Sequence, residues 1–250
     1  MTAFKSAAIE LLNRRKFGTK APRMDESIRP KSIEDALAIQ SEMANIATLG
    51  GWKCLLPPAA DKIIAAPIFN VQQNTDTVEL YEDNLVARVE PEICFILSKN
   101  IPIKSNDYSE TEIVDSIGSA HMALELMQSR FADGAGQSFY ENLADCMFNQ
   151  GVYVGPELDK NTAINTSKVK ITVAQGAKVR EFEGEHPNKR AIDGLIWLVN
   201  YMNARGVELK AGAVIITGSF KGIVDMTFDI ETTISYEGLG EYQVNFIRKI

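Results

Sequence analysis

Apolar residues recur at two spacings along the chain, and the two spacings predict different parts of the fold. Near the amino terminus they recur every three to four residues, which is the spacing of one helix face and predicts a helix over residues 2–16. Ser32, followed by acidic residues, indicates the start of a second helix that runs to about residue 49. A third helix is predicted between His186-Pro187 and Gly206. The first 50 residues are therefore predicted to form a helical section.

From Gly51 onward the pattern changes to short apolar or alternating runs, which predict strands. The predicted strands cover residues 51–56, 77–80, 87–97, 119–127, 151–155, 169–173, 213–217, 223–234 and 242–247. Pro57-Pro58 is expected to end the first of them. The prediction is one α+β domain over residues 1–250, with a helical section at 1–50 and a mostly antiparallel or mixed β core at 51–250.

Charge and composition argue against several functional classes. The net charge is −7, and the longest basic run, Arg14-Arg15-Lys16, lies at a predicted helix end where cations favour the dipole, so nucleic acid is not an expected partner. The amino-terminal helix carries charges within its apolar pattern, unlike a secretion signal, and no apolar run is long enough to span a membrane. Cys54, Cys94 and Cys146 have no zinc-ligand spacing and are predicted to be buried free thiols.

The most informative stretch is residues 87–97, where two carboxylates interrupt an apolar strand. Alternation places Glu90 and Glu92 on one face together with Arg88. Such neighbours lie about 7 Å apart, and their repulsion is on the order of 2 kcal/mol at an effective dielectric near 20. Either Mg²⁺ or Mn²⁺ offsets this repulsion, or Arg88 neutralises the pair at a solvated strand end. Pro91 lacks an amide donor, so an edge or a bulge is expected here.

Two further charges lie within apolar runs. Glu125 is costly in its strand unless it is paired or coordinated, so it is either a third ligand of the same metal or a salt-bridge partner of Lys53 or Arg130. Lys53 either extends to the surface or faces a substrate, binding a carboxylate or moving a proton after desolvation lowers its pKa. A metal site beside a lysine explains all of these residues together.

Few other residues suggest a catalytic or binding role. His121 shares the face of Glu125 and is expected to be a satisfied core histidine, and His186 is expected to be a turn residue. Ser219 follows a buried strand and a glycine, and it is a candidate to hydrogen-bond a substrate carboxylate. The sequence has no glycine-rich phosphate-binding motif, so a nucleotide cofactor is not expected.

Several short motifs, in order, resemble the fumarylacetoacetate hydrolase superfamily, specifically its 2-oxopent-4-enoate hydratase and 4-oxalocrotonate decarboxylase branch. The matching segments are residues 32–40, 51–53, 89–93, 123–126, 129–130, 144–145, 192–200, 210–212, 216–219 and 238–240. This chain departs from the usual family pattern after Lys53, at Gln128 and at Cys146-Met147-Phe148. The departures leave the three carboxylates in place but alter the residues around them.

The resemblance implies a mixed β-roll or barrel with an N-terminal helical section. It implies that Glu90, Glu92 and Glu125 bind Mg²⁺ or Mn²⁺ and that Lys53 faces the substrate as a catalytic residue. Asp145, from the matching segment 144–145, is predicted to bind substrate together with Ser219. The resemblance also implies a cytoplasmic homo-oligomer that acts in the catabolism of aromatic compounds, with no membrane partner.

The expected activity is that of a metal-dependent hydratase, a hydro-lyase, on acids of the 2-hydroxypenta-2,4-dienoate type. Such an acid can chelate a metal through its C1 carboxylate and C2 oxygen. Two alternatives stay open: a decarboxylase of the 4-oxalocrotonate type, and a non-catalytic relative that binds a small 2-oxo acid. The departures from the family pattern motivate the second alternative.

Overall fold

The computed structural model describes residues 2–57, 59 and 62–250, so Pro58 of the predicted strand end lies outside the described residues. In chain order the elements are α1 (Ala3–Phe17), α2 (Ile33–Ile46), β1 (Gly51–Leu55), β2 (Ile64–Ile68), β3 (Val71–Gln73), β4 (Thr77–Leu80), β5 (Ala87–Leu97), α3 (Glu110–Val114), β6 (Ile117–Met127), α4 (Phe139–Ala144), β7 (Asn149–Leu158), α5 (Lys160–Asn165), β8 (Lys168–Gln175), β9 (Lys178–Glu185), α6 (Ala191–Ala204), β10 (Val214–Ile216), β11 (Val224–Met226), β12 (Glu231–Tyr236) and β13 (Gly240–Arg248). The α+β prediction is confirmed.

The two amino-terminal helices begin where the sequence predicts. The side chains of Thr2 and Ser32 accept hydrogen bonds from backbone amides of the first turn, which satisfies donors that a helix start leaves free. α1 ends at Gly18, whose φ of 60° is the left-handed conformation common after a helix. α2 ends at Ile46, a few residues before the predicted end. Both helices pack on a shared apolar cluster that includes Leu11.

Two sheets make up the β portion. The larger sheet has the order β2-β1-β10-β5-β6-β7-β3, with β11 also pairing with β5, and the smaller sheet has the order β4-β13-β12-β8-β9. The pairs β1–β10, β3–β7 and β4–β13 are parallel and the other pairs are antiparallel, so both sheets are mixed. Buried side chains of both sheets, among them Val89, Leu124, Tyr236 and Phe246, form one core cluster. The opposite face of β5 and β6 is the face that carries the predicted carboxylates.

The strand predictions miss β2, β3 and β9, join β11 to β12, and misplace Pro91. β9 was missed because its side chains are mostly exposed and charged, so it lacks an apolar pattern. The segment 223–234 was predicted as one strand but forms β11 and β12, separated by a turn in which Asp229 has a φ of 60°. Pro91 was expected at an edge or bulge, yet β5 pairs with β6 on one side and with β10 and β11 on the other. Pro91 lies in the gap between those two strands, where no amide is required.

None of the described helices is both long enough and apolar enough to cross a membrane.

Candidate active site

The three predicted metal ligands meet on the pair formed by β5 and β6. The register places Glu90 directly opposite Glu125, and Glu92 opposite Ala123 on the same face. One carboxylate oxygen from each glutamate lies within 4.8 Å of the others. Glu92 and Glu125 are 2% and 1% exposed, and Glu90 is partly buried. The structure therefore brings together three carboxylates from two strands, largely removed from water.

Lys53 enters the same site from β1. Strand β10 lies between β1 and β5, and the register aligns Lys53 with Ile216 and Ile216 with Cys94. The Lys53 ammonium donates a hydrogen bond of 2.6 Å to Glu125 Oε1 and one of 3.2 Å to the Met147 carbonyl. The salt bridge that the sequence offered as an alternative for Glu125 is thus present, but it occupies only one of the two carboxylate oxygens.

The donor set fits a hard divalent cation. Glu125 Oε2 is buried and has no hydrogen-bond partner among the described residues, an arrangement that is costly unless another group completes it. When ionised, the three glutamates bring three negative charges against the single positive charge of Lys53. Arg88, the alternative counter-ion, is directed to Asp83 and Asp225 at 3.4 and 3.6 Å. Two further positive charges would therefore be needed to neutralise the site. Its carboxylate oxygens are the ligands that Mg²⁺ and Mn²⁺ prefer.

Burial and mutual repulsion shift the pKa values of these groups. Burial, followed by repulsion from Glu125, raises the pKa of Glu90 to about 7. The same causes, with Glu90 added, hold the pKa of Glu92 well above its ordinary value. For Lys53 burial lowers the pKa, but attraction to Glu125 and Glu90 outweighs it, so the pKa is raised. In the metal-free site the surrounding carboxylates therefore outweigh the expected lowering of the Lys53 pKa by desolvation.

These shifts predict how metal-free protein responds to pH. The folded-state pKa of Glu90 lies above its ordinary value of 4.5, so the stability linked to its protonated form is complete below that value and is lost as the pH rises through about 7. We expect Glu90→Gln to stabilise metal-free protein by about 2 kcal/mol at pH 8 and to change little at pH 5. Thermal unfolding with a chelator checks this, and equal effects at both pH values would contradict it.

A cavity of about 370 Å³ opens onto the carboxylates, within the range of roughly 300–1,000 Å³ typical of small-ligand sites. Its polar side chains are the three glutamates, Lys53 and Ser219. The other described residues of its wall are Cys54, Leu55, Ile64, Met127, Met147, Phe148, Pro187, Gly218, Gly222 and Ile223. The cavity is thus polar at the carboxylates and mainly apolar elsewhere.

One wall of the cavity is held in an unusual backbone conformation. Cys146, Met147 and Phe148 have φ values of 60°, 50° and 67°, a left-handed run that costs roughly 1–2 kcal/mol per residue without glycine. The Phe148 carbonyl accepts hydrogen bonds from the Gln128 amide at 2.9 Å and the Arg130 guanidinium at 3.2 Å, which hold this run in place. The run places the Met147 carbonyl against Lys53 and two side chains on the cavity wall.

The two predicted substrate-binding residues occupy different positions. Ser219 lies on the cavity wall, where its hydroxyl donates to the Pro91 carbonyl at 3.0 Å and accepts from the amides of Lys221 and Gly222. Asp145 is buried beside the site and forms an ion pair of 2.8 Å with Arg130. Its contacts favour support of the left-handed run over direct contact with a substrate. Both assignments stay predictions.

The basic residues at the end of α1 also form hydrogen bonds outside the helix. Arg14 donates to the Arg130 carbonyl at 3.2 Å, and Arg15 donates to the Asp145 carbonyl at 3.0 Å. These contacts connect the amino-terminal helical section to the segment behind the cavity.

His121 is half-buried, and its ring nitrogens hydrogen-bond to the Gly155 carbonyl at 3.0 Å and to the Ser119 hydroxyl, as expected for a structural histidine.

Sequence reasoning missed two polar partners of the carboxylates. The Asn149 amide donates to Glu125 Oε1 at 2.8 Å, and the Gly218 amide donates to Glu92 Oε2 at 2.9 Å. Asn149 begins β7 two residues before the buried run 151–154, and its polarity there was the available signal. Gly218 has a φ of 126°, which positions its amide and which side-chain patterns do not reveal.

Comparison with known proteins supports the resemblance drawn from sequence. No protein-family model matches the chain. A 2-oxo-hept-4-ene-1,7-dioate hydratase from Escherichia coli is 23% identical over 86% of this chain and 87% of that protein. A 2-keto-4-pentenoate hydratase from Paraburkholderia phymatum is 22% identical over 64% of this chain and 60% of that protein.

Several solved structures are similar to this chain in fold. A 4-oxalocrotonate decarboxylase from Pseudomonas putida G7, complexed with magnesium and adipate, has a TM-score of 0.77 at 16% identity, over 98% of this chain and 97% of that chain. A fumarylacetoacetate hydrolase family protein from Yersinia pestis CO92 has a TM-score of 0.53 at 18% identity, over 78% of this chain and 91% of that chain. In sequence and in fold, the chain resembles the hydratase and decarboxylase branch of the fumarylacetoacetate hydrolase superfamily.

Proposed function

We propose that the protein is a divalent-metal-dependent lyase that acts on small 2-hydroxydienoic or 2-oxo acids, with hydration of 2-hydroxypenta-2,4-dienoate-type acids as its leading reaction. One observation carries the proposal: three carboxylates, two of them buried and one partly buried, converge at a small cavity, with Lys53 beside them and one buried carboxylate oxygen unpartnered among the described residues. The curated relatives named as hydratases support the reaction type.

The chemistry follows from the groups that are present. Mg²⁺ or Mn²⁺ held by Glu90, Glu92 and Glu125 would act as a Lewis acid on the C1 carboxylate and C2 oxygen of the substrate. In the metal-free protein the carboxylate neighbours raise the pKa of Lys53, and its ammonium lies where it can serve as a proton donor or as a cation for a substrate oxygen. Its contacts with Glu125 and the Met147 carbonyl fix the position of the ammonium.

Hydration then requires two proton movements and one new C–O bond. The dienol loses the proton of its C2 hydroxyl and gains one at C5, which gives an α,β-unsaturated ketone. The C3=C4 double bond then opens: the oxygen of a water molecule bonds to C4, that water loses one proton, and C3 gains one. The product is a 4-hydroxy-2-oxo acid. Lys53 is the described cavity residue best suited to carry protons in these steps, since the thiol pKa of neighbouring Cys54 is raised by burial and the thiol stays protonated.

A direct assay follows the loss of dienoate absorbance when metal-free protein receives Mg²⁺ or Mn²⁺. We expect turnover that depends on the ion and stops when a chelator is added in excess. A protein that turns over no 2-hydroxydienoate or 2-oxo acid with either ion is not the proposed enzyme.

Two alternatives have specific support. The structural likeness to a 4-oxalocrotonate decarboxylase favours decarboxylation, which release of CO₂ from that substrate would show. The residues at 54–58 and 146–148 depart from the family pattern and favour a non-catalytic protein that binds a small 2-oxo acid. That alternative predicts binding without turnover. The cytoplasmic location, the homo-oligomeric state and the single-domain organisation stay predictions.

A further inference from the structure

We infer that the site selects acids whose distal end is uncharged and discriminates against dicarboxylates. The inference rests on the proposed function, since it assumes that a 2-oxo acid places its C1 carboxylate and C2 oxygen at the glutamates. It narrows the substrate to a monoacid with a short apolar tail. Three features of the cavity carry it: the composition of its wall, its charge, and the directions of the nearby cations.

The wall beyond the carboxylates is apolar. Apart from the three glutamates, Lys53 and Ser219, the described side chains that line the cavity are carbon- or sulphur-rich, with Leu55, Ile64, Phe148 and Ile223 among them. The Ser219 hydroxyl already donates to the Pro91 carbonyl and accepts from two backbone amides. A distal carboxylate would therefore exchange water for hydrocarbon without a charged partner, which is strongly unfavourable.

Among the described residues that line the cavity, Lys53 is the sole cation, and the glutamates already engage it. One divalent ion and Lys53 balance the three glutamates, so the C1 carboxylate of a bound acid already makes the site negative. A second carboxylate would add to this excess in a cavity where screening by water is weak. A monoacid avoids the added repulsion and can bury its tail against the apolar wall.

Three cations near the cavity are directed elsewhere. Arg130 is fully buried in its ion pair with Asp145, and Arg88 contacts Asp83 and Asp225. Lys221, beside the wall residues Ser219 and Gly222, has its ammonium 5.3 Å from the centre of the Phe182 ring. None of these three is among the described residues that line the cavity.

The test compares monoacids of increasing chain length with a diacid as long as the longest of them. Mn²⁺-loaded protein is titrated calorimetrically with 2-oxobutanoate, 2-oxopentanoate, 2-oxohexanoate and 2-oxohexanedioate. We expect affinity to rise about fourfold for each added methylene, and 2-oxohexanedioate to bind at least about tenfold more weakly than 2-oxohexanoate. Equal or tighter binding of the diacid would overturn the inference and leave the proposed function standing. Failure of all four acids to bind would overturn both.

A charge introduced at the wall tests the cause of the selectivity. Ile223 lines the cavity and is 40% exposed, so Ile223→Arg places a cation there with little risk to the core. Ile230 is 37% exposed and is not among the residues lining the cavity, so Ile230→Arg is the matched control. We expect Ile223→Arg to shift the ratio of diacid to monoacid affinity at least about tenfold towards the diacid, and Ile230→Arg to leave it unchanged. Equal ratios in both variants would contradict an apolar wall as the source of selectivity.

Discussion

Glu125→Gln is expected to lower kcat/KM by at least about a thousandfold, the equivalent of about 4 kcal/mol of lost transition-state stabilisation. Glutamine keeps the shape of the side chain, but it removes one of the three anionic ligands. It also removes the charge that holds the Lys53 ammonium at 2.6 Å. The substitution therefore weakens metal binding and releases the proton donor at the same time, which is why its effect is expected to be among the largest.

The matched control for this variant is Glu157→Gln. Glu157 lies on β7, the strand next to β6, and its side chain is exposed. This variant makes the same chemical change on the neighbouring strand, away from the carboxylates. We expect wild-type turnover from this control, and near-wild-type thermal unfolding of both metal-free variants to show that the fold is kept. Glu125→Gln protein that turns over at the wild-type rate with wild-type dependence on Mg²⁺ would remove Glu125 from the site.

Lys53→Met is expected to lower kcat by about 10²- to 10⁴-fold, the usual contribution of a positioned acid or base. Methionine fills a similar volume but carries neither charge nor proton. Affinity for Mn²⁺ should be retained or increased, because the ammonium that competes for Glu125 Oε1 is gone. Steady-state kinetics and Mn²⁺ titration separate the two effects, because this variant is expected to lose catalytic rate while it retains its affinity for the metal.

Lys53→Arg distinguishes the two roles open to the lysine. Arginine keeps the positive charge but does not give up a proton in proteins. If Lys53 transfers protons, the arginine variant should stay close to the methionine variant in kcat while its KM approaches that of the wild type. If Lys53 serves only as a cation for a substrate oxygen, arginine should recover most of kcat. Wild-type kcat in Lys53→Met would contradict both roles.

The sequence predicted the features that depend on local pattern. β5 was predicted over residues 87–97 and is observed over Ala87–Leu97, because apolar alternation sustained over eleven residues leaves little freedom in its bounds. Glu90, Glu92 and Glu125 were recognisable because a carboxylate in an apolar strand has to be compensated. Lys53 was recognisable for the same reason, and the structure places it with them.

Features that depend on contacts between distant segments were not predictable. The pairing of Glu90 opposite Glu125 depends on the register of β5 against β6, which either strand alone leaves open. The left-handed run at Cys146-Met147-Phe148 is maintained by hydrogen bonds from Gln128 and Arg130, and nothing in its composition favours that backbone. The raised pKa of Lys53 likewise arises from carboxylates that come from other strands.

The most direct test of the central claim is a titration of metal-free protein with Mn²⁺ followed by electron paramagnetic resonance, which distinguishes free from bound ion. The claim is that Glu90, Glu92 and Glu125 hold one divalent cation between them. It predicts one tightly bound Mn²⁺ per chain in the wild type, and at least about a hundredfold weaker binding when any one of the three is changed to glutamine. A wild-type protein that binds no Mn²⁺, or glutamine variants that bind it as tightly as the wild type, would contradict the claim.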